Sequence, residues 1–169
     1  MSKSVAVRPA GPGDAARIAA IYNEGIRGRG ATFETRERAP EEVLAWLGDP
    51  RYPVLVAEDG EEVVGWVSAS PYRPRECYAG VAEFSVYVAG THRGRGVGDA
   101  LMRAFLPACE AAGLWKALSR IFPENTASLA LCARHGFREV GTYLRHGRLE
   151  GAWRDVVIVE CLLGPAARC

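Results

Sequence analysis

The run Arg93-Gly94-Arg95-Gly96-Val97-Gly98 stands between an apolar, alternating segment, Val81 to Val88, and a helical pattern in which Leu101, Phe105, Leu106 and Cys109 recur. A strand, a tight glycine turn and then a helix form an anion-binding arrangement. The glycines let the backbone approach closely, and the first amides of the helix lack internal partners and point outward. Spacing excludes the two common nucleotide loops: the third glycine of a dinucleotide fingerprint falls on Asp99, and no Gly-Lys-Ser/Thr follows. What fits is Arg/Gln-x-x-Gly-x-Gly/Ala, filled by Arg93, Gly96 and Gly98. The same glycines also suit an ordinary structural turn, so the surrounding chain has to discriminate.

Before the loop, Val5 to Val7 reads as a short strand, Gly11-Pro12-Gly13 breaks it, and Asp14 caps a helix to about Arg27 with Ile18, Ile21, Tyr22 and Ile26 on its apolar face. Gly28 and Gly30 end that helix, and a second runs from Pro40 to Leu47. Val54 to Glu58 and Glu62 to Ser70 form a hairpin at Asp59-Gly60, and Val81 to Val88 is the next strand. After the loop come a helix from Gly98 to about Ala112, stopped at Gly113, and a strand from Trp115 to Phe122. Asn125 then caps a helix to His135, and two strands follow, Phe137 to Leu144 and Trp153 to Leu162. The whole, residues 1–169, suits one domain.

Charge narrows the partners. With 21 Lys plus Arg against 20 Asp plus Glu, no general field favours nucleic acid or a membrane surface, and a small ligand is the expected partner. No apolar run resembles a signal peptide or a spanning helix, so the expected location is the cytoplasm. Cys77, Cys109, Cys132, Cys161 and Cys169 are odd in number and contain no C-x-x-C pair, which points to free thiols and to no metal site.

The Arg93 to Gly98 segment resembles the pyrophosphate-binding motif of the GNAT acetyltransferases. Asn125-Thr126-Ala127-Ser128 followed by Gly136-Phe137 is similar to that family's second cofactor segment. The resemblance implies an α/β (α+β) GNAT fold, a central mixed, mostly antiparallel sheet flanked by about four helices, with acetyl-CoA as cofactor. The implied cofactor contacts are Val86, Tyr87, Val88, the six loop residues Arg93, Gly94, Arg95, Gly96, Val97 and Gly98, and Asn125 and Ser128 near the pantetheine arm.

Acetylating an amine requires a base for its proton and donors for the oxyanion. In Val81-Ala82-Glu83-Phe84-Ser85-Val86-Tyr87-Val88, alternation puts Glu83, Ser85 and Tyr87 on one face, and Glu83 is the lone acid of the strand. It is either a base or an edge-strand partner in a salt bridge. A narrower resemblance covers nearly the full length. Ile21-Tyr22-Asn23, Ala31-Thr32-Phe33-Glu34, the Glu83 strand, the glycine loop and Gly151-Ala152-Trp153-Arg154-Asp155 are similar to the phosphinothricin and methionine sulfoximine N-acetyltransferase branch.

That branch implies Glu83 as base and a small amino acid or its phosphinic, sulfoximine or arsinic analogue as the amine acceptor. It implies a homodimer as well. Arg73, Arg75 and Tyr78 match where the branch holds the acceptor's acidic groups, and Phe33 matches an apolar wall. Arginine suits the task through its planar fork, although an isolated loop arginine is commonly just solvated. Several members carry a histidine where this chain has Cys132, and His135 comes three residues later. Cys132 is therefore a candidate acid for the leaving thiolate or a small buried hydrophobe, with Tyr87 and Tyr143 as further candidates. Acetylation of a peptide amine, or CoA binding without turnover, are the competing functions.

Overall fold

The computed structural model describes residues 4–168, so the expected free thiol of Cys169 lies outside the described residues, while Cys77, Cys109, Cys132 and Cys161 are free. The elements are β1 (Ala6–Pro9), α1 (Ala15–Gly28), α2 (Pro40–Leu44), β2 (Val54–Asp59), β3 (Glu62–Pro71) and β4 (Val81–Val88). After these come α3 (Val97–Ala111), β5 (Lys116–Ile121), α4 (Thr126–Arg134), β6 (Arg138–Leu149) and β7 (Ala152–Leu162). Among the described residues the strands form a seven-stranded sheet in the order β1-β2-β3-β4-β5-β7-β6. All neighbours are antiparallel except β4 and β5.

Two apolar layers hold the sheet. Ile18 and Ile21 of α1 and Val43 of α2 are buried against Val54, Val56 and Trp66 on one face. On the other, Leu101, Met102, Phe105 and Cys109 of α3 are buried against Phe84, Ala117 and Val157. Each large apolar side chain removed from water contributes about 1.5–3 kcal/mol. No helix among the described residues is long and apolar enough to cross a membrane.

Most expected boundaries hold to within a residue or two. The Asp59-Gly60 turn is present with Gly60 at φ 64°, and Asn125 caps α4 by accepting the Ser128 amide at 3.3 Å. Asp14 differs. It precedes α1, but its carboxylate accepts the Gly11 amide at 2.7 Å and both terminal nitrogens of Arg8 at 2.8 Å instead of a helix amide. Arg8 holds the Asp14 carboxyl below its ordinary range. At the other end of α1 the left-handed position belongs to Arg29 (φ 58°), between the two glycines that signalled the stop. The second helix is α-helical only to Leu44 and tightens into a 3₁₀ turn over Ala45–Gly48. β6 runs on to Leu149 through a bulge, with Arg145 at φ 47° and its amide donating to Asp155 at 2.6 Å. The polar run Arg145-His146-Gly147 concealed that continuation.

One topological fact positions everything below. The parallel pairing of β4 with β5 comprises three register pairs, Val81↔Lys116, Ala82↔Ala117 and Glu83↔Leu118, and stops there. β3, by contrast, follows β4 along its full length, to Gly65↔Val88.

Candidate active site

Past Glu83 one edge of β4 is left without a strand. Ser119 Oγ bridges the first gap by donating to the Phe84 carbonyl at 3.0 Å, and Arg93 Nε reaches the Val88 carbonyl at 3.4 Å. The Ala89 amide points the other way, to Val64 of β3 at 2.8 Å. By strand alternation, the backbone polar groups of Phe84, Val86 and Val88 face the open side and those of Ser85 and Tyr87 face β3. The open edge of Val86 and Val88 forms one wall of a cleft of about 590 Å³.

The far wall is the glycine loop. Gly94 (φ 74°) and Gly96 (φ 81°) both take left-handed backbone that costs an ordinary side chain roughly 1–2 kcal/mol, and Gly96 leads directly into α3. The cleft is lined by Val86, Tyr87, Val88, Arg93, Gly94, Gly96, Val97, Gly98, Asn125 and Ser128, all anticipated from sequence. Arg95 is exposed and outside that lining. An elongated thiol carrying a pyrophosphate fits these residues. The loop amides at the start of α3, with Arg93, suit the phosphates, and the unpaired β4 edge suits an amide-bearing arm.

Sequence reading missed the third wall, the end of α1 with Glu24, Gly25, Gly28, Gly30 and Ala31. The glycines in the last turn of α1 were the available signal. A Cβ on Gly25 would stand 2.5 Å from the Tyr87 ring, so only glycine lets α1 come this close to β4. Tyr87 itself is wedged among Tyr22 and Trp66, each with ring centroids 5.0 Å away. Burial pushes its hydroxyl well above the ordinary tyrosine range.

Glu83 stands at the last rung of the β4–β5 pairing, on a central strand and not on the edge that the salt-bridge alternative supposed. Its carboxylate is in contact with the Arg120 guanidinium of β5, a residue not singled out from sequence. Their shared face continues into a small apolar cluster, because Arg120 pairs with Ile158, and Ile158 packs with Phe122, Leu149, Val156 and Phe33. Phe33 stands edge-on to Phe122 with centroids 4.9 Å apart. It is therefore a wall on the Glu83 side of the sheet. A second cavity of about 390 Å³ on the α1–α2 side is lined by Tyr22, Trp46, Trp66, Ser68, Ser70 and Ser85, among others. Ser70 is the register partner of Glu83.

Other candidates are less central. Arg73 and Arg75 are exposed on the loop joining β3 to β4, where Arg73 lies over the Tyr72 ring at 5.0 Å and Tyr78 meets Tyr72 edge-on. That loop leaves the sheet next to Ser70↔Glu83, which keeps all three at the Glu83 end of β4. Cys132 goes elsewhere. It is 2% exposed within the α3 core and absent from the cleft lining, and burial pushes its thiol up to about 11. Tyr143 is exposed on β6, stacked on His146. His135 contacts Asp99 at 2.9 Å and, with Arg134, ties the end of α4 to the start of α3.

A sheet that opens beside a glycine loop is suited to a phosphate-bearing ligand with an extended arm, and the chain belongs to the GNAT acetyltransferases: the family model described as Acetyltransferase (GNAT) family matches residues 18–137. It is an N-acetyltransferase, and acetyl-CoA is its cofactor. It is 40% identical over 162 residues to the phosphinothricin N-acetyltransferase of Streptomyces coelicolor, covering 92% of this chain and 95% of that one. It is 35% identical over 170 residues to the L-methionine sulfoximine/L-methionine sulfone acetyltransferase of Pseudomonas aeruginosa, covering 96% of both. A crystal structure of a GNAT superfamily phosphinothricin acetyltransferase from Sinorhizobium meliloti in complex with acetyl-CoA superposes with a TM-score of 0.91 at 28% identity, over 99% of this chain and 92% of that one.

Proposed function

We propose that the protein transfers the acetyl group of acetyl-CoA to the primary amine of a small amino acid or analogue of the phosphinothricin, methionine sulfoximine or arsinothricin type, with Glu83 as general base. The observation that carries this reading is the position of Glu83 at the last rung before β4 and β5 part, on the strand whose open edge lines the donor cleft. Bound acetyl-CoA supplies a thioester carbonyl and a thiol leaving group. Glu83 takes the ammonium proton, directly or through a water, so that the amine becomes nucleophilic. The amides of Val86 and Val88 face the open edge and donate to the oxyanion, whereas the Tyr87 amide faces β3. Phe33 with Phe122 excludes water on the acceptor side, and Arg73, Arg75 and Tyr78 receive the acceptor's acidic end. The core position of Cys132 favours its reading as a buried hydrophobe.

The test is thiol release from acetyl-CoA with phosphinothricin, methionine sulfoximine and arsinothricin, beside a peptide with a free N-terminus. Turnover well above acetyl-CoA hydrolysis is expected with at least one of the three. Background rates with all three, or turnover confined to the peptide, would replace this reading with one of the competing functions.

We also propose a homodimer formed through the closing hairpin. Val140, Tyr143, Leu144, Trp153 and Leu162 are all at least 46% exposed on β6 and β7, more exposed apolar surface than two adjacent strands normally leave bare. Sedimentation equilibrium is expected to return twice the chain mass at micromolar concentration, and a monomer there would contradict the proposal.

A further inference from the structure

The Glu83–Arg120 contact raises a difficulty for the proposed base. A carboxylate held by a guanidinium presents fewer lone pairs to an incoming ammonium ion, and its negative charge is already compensated. Yet nothing locks the pair. Arg120 is 51% exposed at its side chain, and Glu83 is its one ion-pair partner among the described residues. One terminal nitrogen makes that contact, which leaves most of the five donors of the fork available. The neighbouring charges on the sheet are committed elsewhere: Lys116 pairs with Glu160, and Arg154 lies over Phe122 and reaches Glu124. Arg120 is also the register partner of Ile158, which packs in the cluster that holds Phe122 and Phe33.

We infer that Arg120 grips the carboxylate of the acceptor and, in doing so, releases Glu83 to act as base. The inference rests on the proposed function and deepens it. In an α-amino acid the ammonium and carboxylate groups are carried on the same carbon, so one molecule presents both charges to the Glu83–Arg120 pair. The partners exchange, ammonium to Glu83 and carboxylate to Arg120, and no charge is left unpaired at any stage. An amine without the acid breaks the pair and gives nothing back to Arg120. Selection for amino acids over simple amines then comes from the base itself, in addition to the loop arginines Arg73 and Arg75, which remain available for the acidic group at the far end of the acceptor.

The test compares wild type, Arg120→Gln and Arg120→Lys with two acceptors, L-methionine sulfoximine and its carboxamide, which keeps the amine and side chain and lacks the carboxylate. Binding of each acceptor in the presence of CoA is measured by calorimetry, and turnover by thiol release. In Arg120→Gln the affinity for methionine sulfoximine is expected to fall by about 10- to 100-fold, with Arg120→Lys intermediate. The kcat/KM for the carboxamide is expected to stay level or rise, because Glu83 is no longer engaged. Unchanged methionine sulfoximine affinity in Arg120→Gln, or equal losses for both acceptors, overturns the inference. A wild-type protein that binds methionine sulfoximine but acetylates neither it nor phosphinothricin nor arsinothricin overturns the proposed reaction, while the binding comparison still decides the role of Arg120. One that binds neither acceptor overturns the inference.

Discussion

Glu83→Gln is expected to lower kcat by about 10²- to 10⁴-fold, the usual contribution of a positioned general base, while the KM for acetyl-CoA stays within about twofold of wild type. The two effects separate because the residues act in different places. Glu83 is at the last β4–β5 rung and outside the lining of the donor cleft, which is formed by the open edge of β4, the glycine loop, α1 and α4. The replacement is nearly isosteric and still accepts a hydrogen bond from Arg120. That contact is largely solvated, with Arg120 half exposed, so stability should change by no more than about 1 kcal/mol. Steady-state kinetics at saturating acetyl-CoA, with thermal unfolding as the control, measures this. A variant that keeps full kcat at neutral pH removes Glu83 from the chemistry and leaves it a structural ion-pair member.

Gly25→Ala is expected to cost about 1–3 kcal/mol, as overpacking of a filled site does, which for a domain of this size lowers Tm by roughly 2–12 °C. The added Cβ would stand 2.5 and 2.7 Å from Cε1 and Cδ1 of Tyr87. That ring has nowhere to swing, being stacked on Trp66 at 24° and set edge-on to Tyr22 at 76°. α1 must therefore lift away from β4. The intrinsic gain of alanine over glycine in a helix, up to about 1 kcal/mol, offsets only part of the cost. Because the same end of α1 lines the donor cleft, the KM for acetyl-CoA should rise along with the loss of stability. A Tm at or above wild type would mean that the α1–β4 contact is soft and that the third wall of the cleft is not set by Gly25.

Local chemistry was legible from the chain. The Asp59-Gly60 turn, the Asn125 cap, the alternation of β4 and the glycine turn ahead of α3 each depend on residues within a few positions of one another, where sterics and hydrogen-bond geometry act directly. The donor side of the site follows from these, which is why the resemblance found nearly all of the cleft-lining positions it named. Cys132 marks the limit. Matching it by count to a histidine of the relatives said nothing of which way a short helix turns, and α4 turns it into the α3 core. Asp14 marks another, since the preference for an N-cap was overridden by Arg8, a partner on β1.

The sequence by itself determined the donor half of this protein: a strand, a phosphate-binding turn and a helix in the order of an acetyltransferase, with Glu83 on the strand that leads into them. Only the tertiary structure decided what surrounds Glu83. Strand order brings β5 beside β4 and then lets the two part after three rungs, and that alone sets Arg120 against Glu83, 37 positions apart in the chain. Helix and loop packing place Phe33 against Phe122 and the last turn of α1 against Tyr87. Such contacts depend on sheet register and helix packing, long-range quantities that no local pattern of side chains encodes.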